Sequence, residues 1–229
     1  MAHIKSYFTK FELALWGSSS LVIAIFFILF DRTNYLTLAA SLIGVTSLIF
    51  NAKGNSIGQV LMIVFSLIYG YISFLFGYYG EMITYLGMTM PMAVVALVSW
   101  LKNPFEGNKT EVKVNSVSNK ETVFMWVLSA FVTAIFYYVL KYFHTDNLVP
   151  STISVTTSFI AAYLTFRRSP YFALAYASND IVLIILWSMA SVENIKYISV
   201  VACFAAFLVN DLYVFINWRR IHKRQIDNG

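Results

Sequence analysis

A chain of 229 residues of which 59% are hydrophobic and only 12% charged does not fit a water-soluble domain, where about a quarter of residues carry charge. The mean hydropathy of +0.69 excludes a disordered chain, and the lone Cys203 excludes a disulfide framework or a cysteine metal site. A net charge of +5 invites a nucleic-acid reading, but the placement of that charge along the chain assigns it elsewhere.

About 20 consecutive apolar residues of helix cross a bilayer core. Eight such stretches are predicted, at 11–30, 34–51, 57–79, 82–101, 122–143, 148–166, 171–190 and 195–217. The first run is followed by no small-residue cleavage site, so no removable leader is expected. One polar stretch of any length remains, 102–121 (KNPFEGNKTEVKVNSVSNKE), and it is read as a loop. With the N-terminus inside, 13 of the 16 Lys and Arg fall on the cytoplasmic side, leaving Arg32, Lys141 and Lys196 outside. That bias fixes orientation in membrane proteins, so both termini are expected in the cytoplasm. The basic run WRRIHKRQ near the C-terminus then reads as an anchor at lipid headgroups rather than a nucleic-acid site.

The expected class is an all-α integral membrane protein with eight transmembrane helices in one membrane domain. Residues 1–33 form an extra N-terminal helix, 34–101 a first three-helix unit and 102–147 a cytoplasmic loop with a linker helix. A second three-helix unit follows at 148–218, then a basic tail at 219–229. Both units start from the outside, which predicts a 3+1+3 arrangement of parallel repeats.

Spans seven and eight carry the same polar signature. Asn179-Asp180 is followed by Trp187, and Asn210-Asp211, 31 residues on, by Trp218. Seven residues are about 700° of helical rotation, so each Asp and its Trp share a face. A carboxyl deep in hydrocarbon costs about 2.5–3.5 kcal/mol on insertion scales, so it should meet a partner or a wet cavity. Such groups either tie helices together or bind a small polar solute with a flat, positive ring. In the second case the indole stacks on the ring and the amide pairs with a polar substituent. Trp16, Trp100, Trp126 and Trp218 fall at cytoplasmic ends of spans and read as an interfacial belt.

Asn51, Asn55 and Gln59 cluster at the second connection, where they cap helices or, for Gln59 above all, line an inner vestibule. Tyr69, Tyr71 and Tyr85 lie on or near spans three and four, and Pro91 is a candidate hinge in span four. His3, His144 and His222 lie outside the spans and no HExxH or phosphate-loop motif occurs, so neither metal nor other cofactor is expected.

The paired Asn-Asp-x6-Trp motif, the Trp100 that ends span four, the eight-span layout and the basic C-terminus resemble the PnuC-type nicotinamide riboside transporters of bacteria, over about residues 35–220. The resemblance implies a SWEET-like core and a transporter of the bacterial cytoplasmic membrane rather than an enzyme. It implies facilitated diffusion of nicotinamide riboside, made one-way by phosphorylation inside the cell, and homo-oligomers, trimers among them, in contact with membrane lipids. Asn179, Asp180, Trp187, Asn210, Asp211 and Trp218 match the motif and, with Trp100 and Gln59, are the expected substrate-binding residues. Rejection of the mononucleotide is expected too, since its phosphate would meet two carboxylates. The alternatives are a carrier for a thiamine-like cation, a proton-coupled carrier, a membrane-embedded enzyme using Asp180 and Asp211 as an acid–base dyad, or a scaffold.

Overall fold

The computed structural model describes residues 7–75 and 79–227. Among them eight helices are long and apolar enough to cross a membrane. They are α1 Lys10–Phe26, continued by a wide turn over Phe27–Asp31, α2 Tyr35–Ala52, α3 Ile57–Leu75, α4 Tyr79–Lys102, α5 Asn119–Tyr142, α6 Leu148–Phe166, α7 Tyr171–Glu193 and α8 Ile198–Asp227. This is the expected multi-pass helical protein. Residues 76–78, assigned from sequence to the third span, lie outside the described residues, as do Lys5 and His3.

Six helices close a ring. α2 packs on α3, α3 on α4, α4 on α6, α6 on α7, α7 on α8, and α8 back on α2. α1 lies outside the ring against α2 and α8, and α5 lies outside it against α6 and the start of α4. The outer face of α5 leaves Val123, Phe124, Val127 and Phe131 exposed, as a lipid-facing surface requires.

Two sets of polar contacts tie the ring together, and they match across the chain. α1 opens on a capping box, with Glu12 N–H donating to Thr9 Oγ1 at 3.2 Å and Thr9 N–H to Glu12 Oε2 at 2.7 Å, which satisfies two helix-end donors at once. α5 opens on Ser118, whose hydroxyl accepts from Glu121 N–H at 3.3 Å. Each glutamate then reaches the basic residue that ends the following helix. Glu12 lies 3.1 Å from Lys53, and Glu121 pairs with Arg167.

Near the end of α4 and within α8 the match recurs crosswise. Trp100 Nε1 donates to the Thr165 carbonyl at 2.9 Å and Ser99 Oγ to the Phe166 carbonyl at 2.8 Å. Trp218 Nε1 donates to the Asn51 carbonyl and Asn217 Nδ2 to the Ala52 carbonyl, both at 2.7 Å. The donors lie near the end of α4 and, on α8, where the expected span ends and the helix continues toward the hairpin; the acceptors end the second helix of the other half. By these contacts α1, expected as an extra helix, occupies the place that α5, expected as a linker, occupies in the second half.

Two features differ from the sequence expectation. The 102–121 stretch contains a hairpin, β1 Pro104–Phe105 and β2 Asn108–Val112, turning at Glu106-Gly107, both with positive φ, as tight hairpins require. α8 also runs ten residues past its expected end, to Asp227. Its basic run grips the hairpin: Arg224 and Gln225 bond Glu111, and Gln225 Oε1 accepts from Val114 N–H at 2.8 Å. Arg224, expected at headgroups, thus holds the loop instead.

The α2–α3 turn admits no side chain at Gly58. A Cβ there would lie 2.1 Å from Asn51 Oδ1 and 2.9 Å from the Asn51 backbone nitrogen. Gly58→Ala is expected to destabilise the protein by about 1–3 kcal/mol, read as a lower melting temperature in detergent.

Candidate functional site

The six ring helices enclose a cavity of about 930 Å³, open solvent at its mouth included. Helical spacing explains which side chains reach it. α7 contributes Tyr176, Asn179, Asp180, Leu183 and Trp187, and α6 contributes Ser151, Ser154, Val155 and Ser158, each set on one helical face. α4 adds Glu81, Thr84, Tyr85 and Thr89, and α8 adds Phe204, Phe207 and Asp211.

α4 is not regular where it meets the cavity. Tyr85–Thr89 forms a wide turn in which the Met90 N–H reaches back five residues to the Tyr85 carbonyl. Pro91 has no N–H to offer the Gly87 carbonyl, and an inserted residue in the helix absorbs the mismatch. The sequence marked Pro91 as a hinge; the departure lies just before it and carries Tyr85 and Thr89 onto the cavity wall.

Two carboxyl groups meet at mid-chain depth. Asp180 and Asp211 are 4% and 2% exposed and interact directly across α7 and α8. Apart from each other, Asp180 Oδ2 and Asp211 Oδ1 have no hydrogen-bond partner among the described residues. A buried acceptor short of donors is costly, which a bound solute or water in the adjoining cavity would relieve. Asn179 Oδ1 accepts from Ser154 Oγ at 3.1 Å and Thr157 Oγ1 at 2.8 Å, which fixes the amide at the wall. Trp187 packs on Tyr197, with ring centroids 5.2 Å apart.

Four residues expected at the site lie outside this lining. Asn210 turns toward α1 and donates to Ser19 Oγ and the Ala206 carbonyl, both at 2.8 Å. Adjacent residues on a helix point about 100° apart, so on α8 only Asp211 of its pair faces the cavity. Gln59 is engaged with Asn51 Oδ1 at 2.9 Å and braces the α2–α3 turn. Trp100 and Trp218, read from sequence as belt residues or ligands, are fully buried. With Phe172 they fill the hairpin end of the ring, Trp218 lying 5.3 Å from Trp100 and 4.8 Å from Phe172. Val112 and Val114 of the hairpin segment pack into the same cluster. The cavity therefore stops short of that end.

Glu81, the α6 serines Ser151, Ser154 and Ser158, and Thr157 are not singled out by the sequence. Glu81 was placed just outside the fourth span, and nothing in a helical pattern distinguishes the serines and Thr157 of α6 from ordinary span residues. A span-edge acid beside aromatic residues is the only signal that could have found Glu81.

Comparison with known proteins gives this geometry a context. The family model described as "Nicotinamide mononucleotide transporter" matches residues 34–220. The chain belongs to the nicotinamide mononucleotide transporter family. Within reach of this transporter family, the chain is similar to "Nicotinamide riboside transporter PnuC" of Neisseria mucosa, 25% identical over 222 residues that span 94% of this chain and 83% of the relative. It shares its fold with the structure titled "Crystal structure of the Vitamin B3 transporter PnuC", at a TM-score of 0.81 and 22% identity, over 95% of this chain and 94% of that one.

The crosswise indoles carry a clear expectation. Trp100→Phe and Trp218→Phe each remove an indole donor from a carbonyl that keeps one turn N–H, that of Arg168 on Thr165 and that of Gly54 on Asn51, so each should cost about 0.5–1.5 kcal/mol. Thermal unfolding in detergent measures the loss, which should be similar for the two variants because their settings match.

Proposed function

We propose that this chain carries nicotinamide riboside by facilitated diffusion across the bacterial cytoplasmic membrane, with the hairpin end and both termini in the cytoplasm. One observation carries the reading. Glu81, Asp180 and Asp211 line the cavity, and none of its lining residues is Lys, Arg or His. The riboside brings a permanent pyridinium charge, a carboxamide and ribose hydroxyls. A carboxylate and the face of Trp187 favour the cationic ring, the Asn179 amide suits the carboxamide, and the serines of α6 suit the hydroxyls.

The mononucleotide differs by a phosphate carrying about −1.5 to −2 charges near pH 7. In this cavity that charge would face carboxyl groups, with no Arg or Lys to receive it. Of the two substrates named by the family and by its relative, the riboside is the one the lining supports. Phosphorylation after entry would then prevent return. The positive-inside distribution of Lys and Arg supports the orientation. The apolar outer face of α5 is the surface offered to lipid or, in a homo-oligomer, to another copy.

Purified protein in liposomes tests the proposal with labelled riboside, mononucleotide and thiamine. Saturable uptake of the riboside is expected, exceeding that of thiamine and without measurable uptake of the mononucleotide. Comparable uptake of the mononucleotide would reject the charge argument, and preference for thiamine would reassign the substrate. Trp187→Leu removes a ring–cation contact worth about 2 kcal/mol when desolvated, so it should weaken riboside binding about tenfold or more while the protein stays folded.

A further inference from the structure

Two further cavities lie at the end of the ring opposite the hairpin. One is bordered by Asp31, Asn34, Asn194 and Lys196, the other by His144, Asp146, Asn147 and Glu193. Among the described residues, Glu81 and Trp187 alone line both of these and the central cavity. Glu81 and Trp187 therefore mark where a path from either end cavity to the centre would run. Glu81 stands on the first turns of α4, near the phenols of Tyr69 and Tyr85, whose rings are 5.1 Å apart. The ion pairs found among the described residues join Glu12, Glu121 and Glu111 to basic residues, and none involves Glu81.

We infer that Glu81 is a specificity-determining residue that admits flat monocations to the central cavity and turns back anions. The inference deepens the riboside reading and rests on it. An acid without a basic partner in a partly closed passage is costly to keep; a passing cation offsets that cost each time it enters. At this position the carboxylate acts before Asp180 and Asp211 are reached. Low-dielectric walls strengthen the attraction over its value in water. The indole opposite supplies the second half of the recognition, since a ring cation gains from the aromatic face as a hydrated inorganic cation does not. The selected class is therefore cationic heteroaromatic rings, not cations in general.

The test separates charge from shape by using nicotinamide riboside and its uncharged 1,4-dihydropyridine form on the same protein. Wild type, Glu81→Gln and Glu81→Asp are placed in liposomes of neutral lipid, and initial uptake of each form is measured. Glu81→Gln keeps the size of the side chain and is expected to slow uptake of the cation about tenfold, with the dihydro form changed by less than about twofold. Glu81→Asp keeps the charge and should retain most of the preference for the cation. Equal losses for both forms in Glu81→Gln, or no loss for either, would overturn the assignment and leave Glu81 a packing residue. Absence of cation uptake by wild type would instead overturn the riboside reading itself, a failure visible before any substitution is made.

Discussion

The structure depends on how helix ends are satisfied inside a bundle without water. The last carbonyls of every helix lack partners within that helix, and in an apolar interior they cannot be left bare. Here the C-terminal carbonyls of α2 and α6 are taken by Trp218 with Asn217 and by Trp100 with Ser99. Each half of the chain thus adds donors at the other's helix ends, beside the turn N–H groups of Gly54 and Arg168 that Asn51 and Thr165 already accept. The same four bonds seat the two indoles against Phe172 and seal one end of the ring. The seal is what makes the central space a blind cavity rather than a pore.

In the central cavity the chemistry changes from indole against carbonyl to carboxyl against open space. Asp180 and Asp211 keep oxygens that no other residue donates to, whereas Asn51, Gln59 and Glu12 are engaged. The contrast separates polar groups that build the protein from those left for a visitor. Asn179 belongs to both sets, held by two hydroxyls yet lining the cavity.

Much of this was legible from composition alone. Eight apolar runs became eight helices, because a bilayer-length stretch of hydrocarbon side chains leaves helix as the way to satisfy the backbone. The Asn-Asp pair of α7 was found for the same reason: two polar residues in such a run are conspicuous. What periodicity does not say is which neighbour a face meets. The motif on α8 looked identical to that on α7, yet α1 packs where Asn210 points, and the amide is consumed there. Trp218 read as an interfacial residue because it ends a span; the hairpin beneath it, formed by a stretch that looked like plain loop, buries it completely. The capping glutamates Glu12 and Glu121 were visible as letters, but their matched ion pairs join positions over 40 residues apart and needed the fold.

The grip of α8 on the hairpin has a mechanical corollary. Val112 donates its N–H to the Gly54 carbonyl and its carbonyl accepts from Gln225, so one short strand is stitched to the α2–α3 turn and to the distal α8 helix together. Any movement that parts the two indoles must carry this whole buckle as one rigid lever or unfasten it. The polar stretch between α4 and α5 is thereby fastened to both halves of the chain at the hairpin end.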